Sequence, residues 1–255
     1  MEWNDEAIIL SARAHGEKAA IVSVLAQQQG RYAGLVAGGQ SRQWHGILQP
    51  GNATQARWRA RLPEHLGHFA LDAAGAGAAR WLGLPLVLAV ICSACVVTEQ
   101  ALPERQPLPA VYDGLRHLLV VDDADLFGAA YVQWELGLLK ALGYGLDLSV
   151  CAVTSRNDEL VYVSPRSGRA VSAAAGADYH DKLLHLPRFL RGEPDWSAAE
   201  VARGLQLTGH FLARRVFHHT APRSSPSWFD CLPAARRRLA QMYQEAAPDA
   251  VMQVA

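Results

Sequence analysis

Arginines at alternate positions are the strongest chemical signal in the sequence. Arg57, Arg59 and Arg61 follow one another at every second residue. Because successive side chains of a β-strand point to opposite faces, this spacing predicts a strand with a cationic face. Such a row of guanidinium groups could neutralise the phosphates of a nucleic-acid strand. A solvated outer face is the alternative and the commoner outcome. The opposite, apolar face would consist of Ala56, Trp58, Ala60 and Leu62.

A glycine-rich loop before this strand adds possible phosphate and base contacts. Residues 38–42 read Gly-Gly-Gln-Ser-Arg, and Arg42 and His45 could extend the cationic track. Tyr32 and Trp44 are candidates for stacking on bases, a common contact in proteins that bind single strands. The loop and the alternating strand together predict a nucleic-acid surface in the N-terminal part of the chain.

A second cationic stretch lies near the C-terminal end, from Arg203 to Arg238. It includes Arg214 and Arg215, and the run 236–238, on segments with an amphipathic helical pattern. A polar helix face is the plain interpretation of such arginines. Two positive surfaces on one chain would nevertheless allow two nucleic-acid strands to be bound.

Metal binding is not predicted. Cys92 and Cys95 have the spacing of a zinc-binding pair, but a structural zinc site takes four ligands and no second pair is present. Two core cysteines are the better interpretation. His210, His218 and His219 lack the spacing of a metal motif. Asp122, Asp123 and Asp125 could hold a divalent cation, but the start of a helix explains them more simply.

Enzymatic motifs are also absent from the sequence. We find no Gly-x-Ser-x-Gly, no P-loop and no Gly-x-Gly-x-x-Gly after a predicted strand. The residues therefore predict neither catalysis nor a cofactor, and an enzyme with an unfamiliar site is the weakest of the functions considered.

The elements that must position these groups change character along the chain. Short β-rich runs separated by glycine turns fill the first sixty residues and predict a small barrel. Helical patterns follow, over 82–102, 111–121 and 126–142, with an irregular or weakly stranded region at 151–176. Ser197 and Glu200 form a capping box before a further helix. The Ala/Gly run at 73–79 is the predicted joint between domains.

Composition is that of a globular protein. The chain has 255 residues, 50% hydrophobic and 19% charged, and its formal net charge is zero. Residues 81–159 carry four basic and ten acidic side chains, whereas both flanking segments are basic. The acidic N-terminus is unlike a secretory signal, which predicts a cytoplasmic protein. The uncharged stretch 81–98 contains Gly83 and Pro85, so a buried helix is favoured over a membrane span.

The order of the motifs resembles the RecO family of bacterial DNA repair and recombination mediators. The resemblance covers most of the chain and rests on an ordered set of segments. These are residues 6–11, 16–17, 29–31, 46–50 and 102–107, then Trp134-Glu135-Leu136, the run 139–145 that ends in Gly-Tyr-Gly, 151–153, 207–209 with Arg214-Arg215, and 232–236.

This resemblance implies an α+β multidomain fold, with an N-terminal OB-fold β-barrel at 1–77 followed by an α-helical domain at 78–255. It implies a non-catalytic mediator that binds single- and double-stranded DNA, anneals strands and recognises the C-terminal tail of single-strand-binding protein. It also implies that the protein acts with RecR, and often RecF, to load RecA. The processes would be DNA repair, recombination and the SOS response to DNA damage, and the location would be the nucleoid of the cytoplasm.

The chain departs from the family pattern in three places. Many members have a four-cysteine zinc site near Cys151, but Thr154 and Ser155 stand where the next cysteine would be, which implies a degenerate, zinc-less insertion at 151–176. The loop 38–42 has fewer basic residues than is usual. Val132 and Gln133 replace a basic residue before Trp134, so the tail-binding pocket would use Arg116 or Lys140 instead.

A protein-interaction module with little direct DNA binding is the alternative function, favoured by the acidic segment 81–159 and the zero net charge.

Two sets of site residues follow from these observations. The predicted DNA contacts are Lys18, Arg31, Arg42, Arg57, Arg59, Arg61, Arg214 and Arg215, and the predicted partner contacts are Arg116, Trp134, Leu138 and Lys140.

Overall fold

The structure of the protein is a computed structural model, which describes residues 1–62, 64–74, 77–220 and 227–247. Backbone contacts divide the chain into two compact units, the first being Met1–Val120 and the second beginning at Val121. The predicted joint at 73–79 is only partly within the described residues. The predicted domain ranges 1–77 and 78–255 stay a prediction.

Five strands close into a barrel in the first unit. Their order is β1-β2-β3-β5-β4, and β4 pairs again with β1. This is the arrangement of an OB-like barrel, and it confirms the predicted fold class. The strands are β1 (Glu2–His15), β2 (Ala19–Ala26), β3 (Gly30–Val36), β4 (Ala53–Arg59) and β5 (His68–Ala73).

An aromatic cluster fills the barrel. The Trp58 side chain is fully buried, and its Nε1 donates hydrogen bonds to the carbonyls of Ala33 and Leu66 at 3.2 and 3.1 Å. The Tyr32 ring packs against Trp58 with centroids 5.1 Å apart, and Trp3 lies beside both. Buried aromatic pairs of this kind contribute both apolar area and a defined geometry. The interior of the barrel is therefore filled by side chains.

Two helices complete the first unit: α1 (Pro85–Ala101) and α2 (Pro109–Leu119). Helix α1 packs along β1, where the Ser11 hydroxyl donates to Glu99 at 2.7 Å and Cys95 Sγ lies 3.7 Å from the Ile9 carbonyl. The outward-facing Ile8 and Leu10 are buried, although neither belongs to the barrel core. Burial of this second face of β1 explains why the compact unit continues to Val120.

The second unit is mainly helical, with a small three-stranded sheet of order β7-β6-β8. Its elements are α3 (Phe127–Ala141), β6 (Leu160–Val163), β7 (Ala170–Ser172), α4 (Ala173–Gly176), β8 (Leu184–His185), α5 (Ala198–Arg215) and α6 (Ala234–Ala246). Short 3₁₀ turns over both units span Arg42–Trp44, Ala78–Trp81, Ala124–Leu126, Ala177–Lys182, Arg188–Arg191, His218–Thr220 and Trp228–Cys231. Ser197 is the N-cap of α5 as predicted, since its Oγ accepts from the Glu200 N–H at 3.4 Å, but the reciprocal half of the capping box is not formed, because the Ser197 N–H donates to Asp195 and the Glu200 carboxylate accepts from the Arg188 N–H.

A buried ion pair joins three helices of this unit. Arg236 and Glu135 both have fully buried side chains, and Arg236 Nε donates to Glu135 Oε1 at 2.5 Å. Arg236 Nη2 also donates to the Leu205 carbonyl at 2.7 Å, and the Thr208 hydroxyl donates to Glu135. Burial acts to lower the pKa of Arg236, but the carboxylate outweighs it and raises that pKa. The expectation that Arg236 lies on a polar helix face is wrong.

Several sequence expectations need correction. Leu62 was predicted to point inward, but it is exposed because β4 ends at Arg59. Cys95 is a core residue as predicted, whereas Cys92 is exposed. Strand β5 was not predicted. Its start at His68 follows a loop whose glycine, Gly67, has a φ of 70°. None of the described helices is both long and apolar enough to cross a membrane.

Candidate nucleic-acid interface

The outer face of β4 presents the arginines as the sequence predicts. Arg57 and Arg59 are exposed, while the alternating Trp58 is buried in the barrel. Arg61 is also exposed and follows just after the strand end. In a strand, side chains two residues apart are separated by about 7 Å. Arg57 and Arg59 therefore follow this spacing, and with Arg61 beyond the strand end they make a row of three exposed cations.

No ion pair among the described residues involves this row, although one carboxylate lies beside it on the sheet. The register places Glu2 and Asn4 of β1 opposite Arg59 and Arg57. On the other side, β5 places His68 opposite Arg59. We call Arg57, Arg59 and Arg61 the β4 row. Within the described parts of the chain, no side-chain nitrogen of the β4 row lies within 4.0 Å of a carboxylate oxygen. The row is thus available to an external anion.

A cleft of about 780 Å³ opens at the end of the row. Arg59 and Arg61 line it together with His65 and its neighbours in the loop before β5. In the sequence, nothing marks this loop as functional, because its histidines have no motif spacing. We call this feature the barrel-mouth cleft. It is lined by Met1, Leu35, Arg59, Ala60, Arg61, His65, Leu66, Gly67 and His68.

Arg31 has a different environment from the row arginines. Only 17% of its side chain is exposed. Its Nε donates to the Leu102 carbonyl at 2.9 Å, and its Nη1 lies 3.3 Å from Glu104 Oε1. These partners occupy the guanidinium group. Arg31 therefore fastens the segment after α1 to β3, and we leave it out of the DNA-contacting set.

Arg105 was not singled out from the sequence, yet it lies next to the barrel-mouth cleft. Its guanidinium carbon is 5.4 Å from the Tyr32 ring centroid and 5.8 Å from that of Trp58. Its Nη2 donates to the His65 carbonyl at 3.0 Å. Cation–π contacts of this kind stabilise a partly buried guanidinium group. Arg105 therefore connects the barrel aromatics to the loop that walls the cleft.

The two expected base-stacking residues differ in exposure. Tyr32 is 6% exposed and belongs to the barrel core. Trp44 is half-buried and packs against the same core. The prediction that Tyr32 stacks on bases is wrong for this structure, because its ring is buried against Trp3, Trp58 and Arg105.

A second cationic group of the barrel surrounds the glycine-rich loop. The Lys18 carbonyl accepts from the Gln40 N–H at 3.1 Å, which joins the β1–β2 turn to this loop. Lys18 and Arg42 are both exposed, as predicted. Arg13 is also exposed, with Nη2 4.0 Å from Glu99 Oε1. These residues offer further positive charge outside the β4 row.

The predicted contacts of the second unit differ in accessibility. Arg214 and Arg215 are exposed in the last turn of α5, where cations favour the helix dipole in any case. On α3, Lys140 is exposed, but Trp134 and Leu138 are 6% and 2% exposed. These two side chains fill the interior of the unit, so they do not present a surface to a partner.

Arg116, the remaining predicted partner contact, lies on α2 of the first unit. More than half of its side chain is exposed, and Nη1 is 3.9 Å from Glu6 Oε2. An exposed pair at this distance contributes little stability. Arg116 is therefore accessible to a partner.

The cysteine of the insertion at 151–176, Cys151, forms hydrogen bonds with its neighbours. Cys151 is buried, and its sulfur accepts from the Ser172 N–H at 3.4 Å. Burial acts to raise the pKa of the Cys151 thiol, but hydrogen bonds from Thr154 and Ser172 outweigh it and lower the pKa to about 6. Within the described ranges, no three His, Cys, Asp or Glu side chains are grouped so that they could hold a metal.

Comparison with known proteins agrees with this architecture. The family model described as Recombination protein O N terminal matches residues 1–71, and the one described as Recombination protein O C terminal matches residues 85–224. The DNA repair protein RecO of Rhodospirillum centenum is 49% identical over 248 residues, 96% of each chain. The RecO of Phenylobacterium zucineum is 46% identical over 96% of this chain and 99% of its own. That of Gluconacetobacter diazotrophicus is 43% identical over 98% of each. The chain belongs to the RecO family of DNA repair and recombination proteins.

Proposed function

We propose that this protein is a non-catalytic recombination mediator whose barrel binds DNA through the β4 row. The observation that carries the proposal is the set of three exposed arginines without carboxylate partners in the described chain, Arg57, Arg59 and Arg61. Binding of phosphates by such a row releases counterions, so the affinity should fall steeply with salt. Lys18 and Arg42 add further exposed positive charge elsewhere on the barrel.

Strand annealing requires a second site for DNA. Arg214 and Arg215 at the end of α5 are the candidates, since both are exposed and adjacent in sequence. Two strands held by one protein would have their phosphate repulsion screened by the arginines. Single and double strands would both be ligands of the cationic surfaces.

The proposed protein partners are supported by the resemblance to the family. We expect the chain to bind the acidic tail of single-strand-binding protein through Lys140 or Arg116, which are the accessible members of the predicted set. We also expect it to act with RecR, and often RecF, to load RecA, in the cytoplasm at the nucleoid. No catalytic step and no cofactor is part of this proposal.

A triple variant tests the DNA site. In Arg57→Ala/Arg59→Ala/Arg61→Ala, we expect the affinity for a labelled single strand to fall at least about tenfold, because three phosphate contacts are lost. The slope of log K against log salt should decrease in magnitude by about two. Fluorescence anisotropy at several salt concentrations measures both quantities.

A matched control removes the same charge elsewhere. Arg156, Arg188 and Arg237 are each paired with a carboxylate, at 3.0, 3.4 and 3.2 Å. The triple alanine variant of these residues should keep the affinity and the salt slope. Equal losses in both triple variants would show that only net charge matters and would contradict the proposed row.

A protein-interaction module is the second candidate, because residues 81–159 are strongly acidic. A gel shift with a bare single strand at low salt separates the two functions. A shift supports the mediator. No shift, together with binding of an acidic, Phe-terminated peptide, supports the interaction module and overturns DNA binding.

A further inference from the structure

We propose that two carboxylates on the outer face of the barrel, Glu6 and Asp72, end the DNA path at Arg57 and keep the strand away from Arg116. This inference rests on the proposed DNA binding by the β4 row and adds a limit to it. We call Glu6 and Asp72 the carboxylate boundary. Three observations support its role: the carboxylates flank one position of β4, this position is next to Arg57 on the outer face, and Glu6 lies close to Arg116.

The two carboxylates face the same position of β4 from opposite sides. The register pairs Gln55 with Glu6 of β1 and with Asp72 of β5. Directly paired residues of an antiparallel sheet project to the same face, with Cβ atoms about 5 Å apart. Glu6 and Asp72 are exposed, whereas the alternating Ala56 is buried in the barrel, so both carboxylates are on the outer face. The three strands therefore place two negative charges and no cation at this position.

The next outward-facing position of β4 has the opposite charge. Arg57 lies between two uncharged residues, Asn4 of β1 and Ala70 of β5. The charge of the face thus changes from two negative at Gln55 to one positive at Arg57 over one step of about 7 Å. This step is within the Debye length of about 8 Å at physiological ionic strength. A phosphate that moved from Arg57 to the position of Gln55 would therefore exchange attraction for repulsion.

Glu2 differs from the two carboxylates of the boundary. It lies opposite Arg59, which provides one cation at the same position, and His68 lies on the other side of Arg59. This position has no net negative charge, so it does not stop a strand that is bound along the β4 row.

Arg116 lies next to the carboxylate boundary. Its Nη1 is 3.9 Å from Glu6 Oε2, and both side chains are more than half exposed. Solvent weakens such a pair, so Arg116 stays accessible to a carboxylate of a protein partner. A strand that continued along β4 beyond Arg57 would approach Arg116 across the position of Gln55, where both carboxylates repel it. The boundary therefore separates the proposed DNA surface from a proposed partner contact.

Neutral variants of the two carboxylates test the boundary. In Glu6→Gln/Asp72→Asn, we expect the affinity for a labelled oligothymidylate to rise at least about threefold, because the repulsion next to Arg57 is removed. The slope of log K against log salt should increase in magnitude by about one, since one further phosphate contact becomes possible. Fluorescence anisotropy at several salt concentrations measures both quantities.

A matched control removes the same charge from exposed residues away from this face. Glu17 lies in the β1–β2 turn, and Asp178 lies in a 3₁₀ turn of the second unit. Glu17→Gln/Asp178→Asn should change the affinity less than about 1.5-fold, because exposed charges beyond a Debye length are screened. Circular dichroism checks that both double variants are folded.

A double-mutant cycle with Arg116 tests where the DNA path ends. Arg116→Ala in the otherwise unmodified protein should change the oligothymidylate affinity less than about 1.5-fold, because the strand does not reach this arginine. In the Glu6→Gln/Asp72→Asn background, the same substitution should lower the affinity at least about twofold, because the longer path now includes Arg116.

The outcomes separate this inference from the proposed function. If Glu6→Gln/Asp72→Asn and the control variant bind oligothymidylate equally, the carboxylates do not limit the path, and DNA binding by the β4 row survives without the boundary. Equal effects of Arg116→Ala in both backgrounds would also overturn the inference. If the unmodified protein does not bind oligothymidylate at low salt, the proposed function itself fails and the inference fails with it.

Discussion

The arginines of β4 and the arginine at the centre of the second unit are in opposite environments. Arg57 and Arg59 are exposed on a strand whose other face fills the barrel, and no described carboxylate lies within 4.0 Å of them. Arg236 is fully buried, with Glu135 and the Leu205 carbonyl as partners. The same type of side chain is therefore available to an anion in one region and connects helices in the other. Burial and available acceptors decide which role an arginine has.

The buried pair gives the largest expected effect. In Arg236→Ala, the Glu135 carboxylate stays buried without its cation, so we expect the free energy of unfolding to fall by about 3–5 kcal/mol. Urea unfolding followed by circular dichroism measures this loss. Arg238→Ala removes an exposed arginine of the same helix and should change stability by less than about 0.5 kcal/mol.

A paired replacement sharpens the result. Glu135→Leu/Arg236→Met removes both charges and restores apolar volume, so it should be less destabilised than Arg236→Ala. A loss below about 1 kcal/mol in Arg236→Ala would mean that this arginine is not the structural counterpart of the β4 row.

The β4 row should behave in the reverse way. The triple variant Arg57→Ala/Arg59→Ala/Arg61→Ala loses at least about tenfold in DNA affinity but should change the free energy of unfolding by less than about 0.5 kcal/mol, because the side chains are exposed. Anisotropy and urea unfolding of the same preparation test both halves. A large loss of stability would remove the contrast between the two regions.

Arg105 is intermediate and has the smallest expected effect. Arg105→Ala removes a cation–π contact and the hydrogen bond to the His65 carbonyl, so we expect a loss of about 1 kcal/mol in stability. Single-strand affinity should fall about threefold, since RT ln 3 is below 1 kcal/mol and the arginine acts by positioning the loop beside Arg59 and Arg61. Arg105→Lys keeps the charge but not the planar group; full recovery of affinity in this variant would show that charge alone is needed.

The individual strands of the barrel were more predictable from the sequence than the long-range contacts between them. Alternation through residues 55–62 identified both faces of β4, although the strand itself spans Ala53–Arg59, because the side-chain period of a strand is fixed by its backbone. The capping residue Ser197 identified the start of α5 for a similarly local reason. Strand β5 was missed because its six residues alternate weakly and its pairing with β4 is a long-range contact.

Roles of individual side chains were less predictable where they depend on distant partners. The local sequence does not distinguish Arg31 from Arg57. The hydrogen-bond acceptors of Arg31 are more than seventy residues away along the chain, at Leu102 and Glu104. Trp134 lies on a helical stripe that is compatible with burial or with a partner surface, and only its packing decided for burial.

The sequence by itself determined the strand and helix periods, the cationic face of β4, the caps and the family. These follow from local backbone geometry and from residue order. Tertiary structure alone decided which arginines lack partners, that Tyr32 is core, and that residues 65–67 close a cleft by hydrogen bonds to the barrel. The physical reason is that burial and hydrogen-bond partners are set by residues far apart in the chain, whose proximity no local pattern encodes.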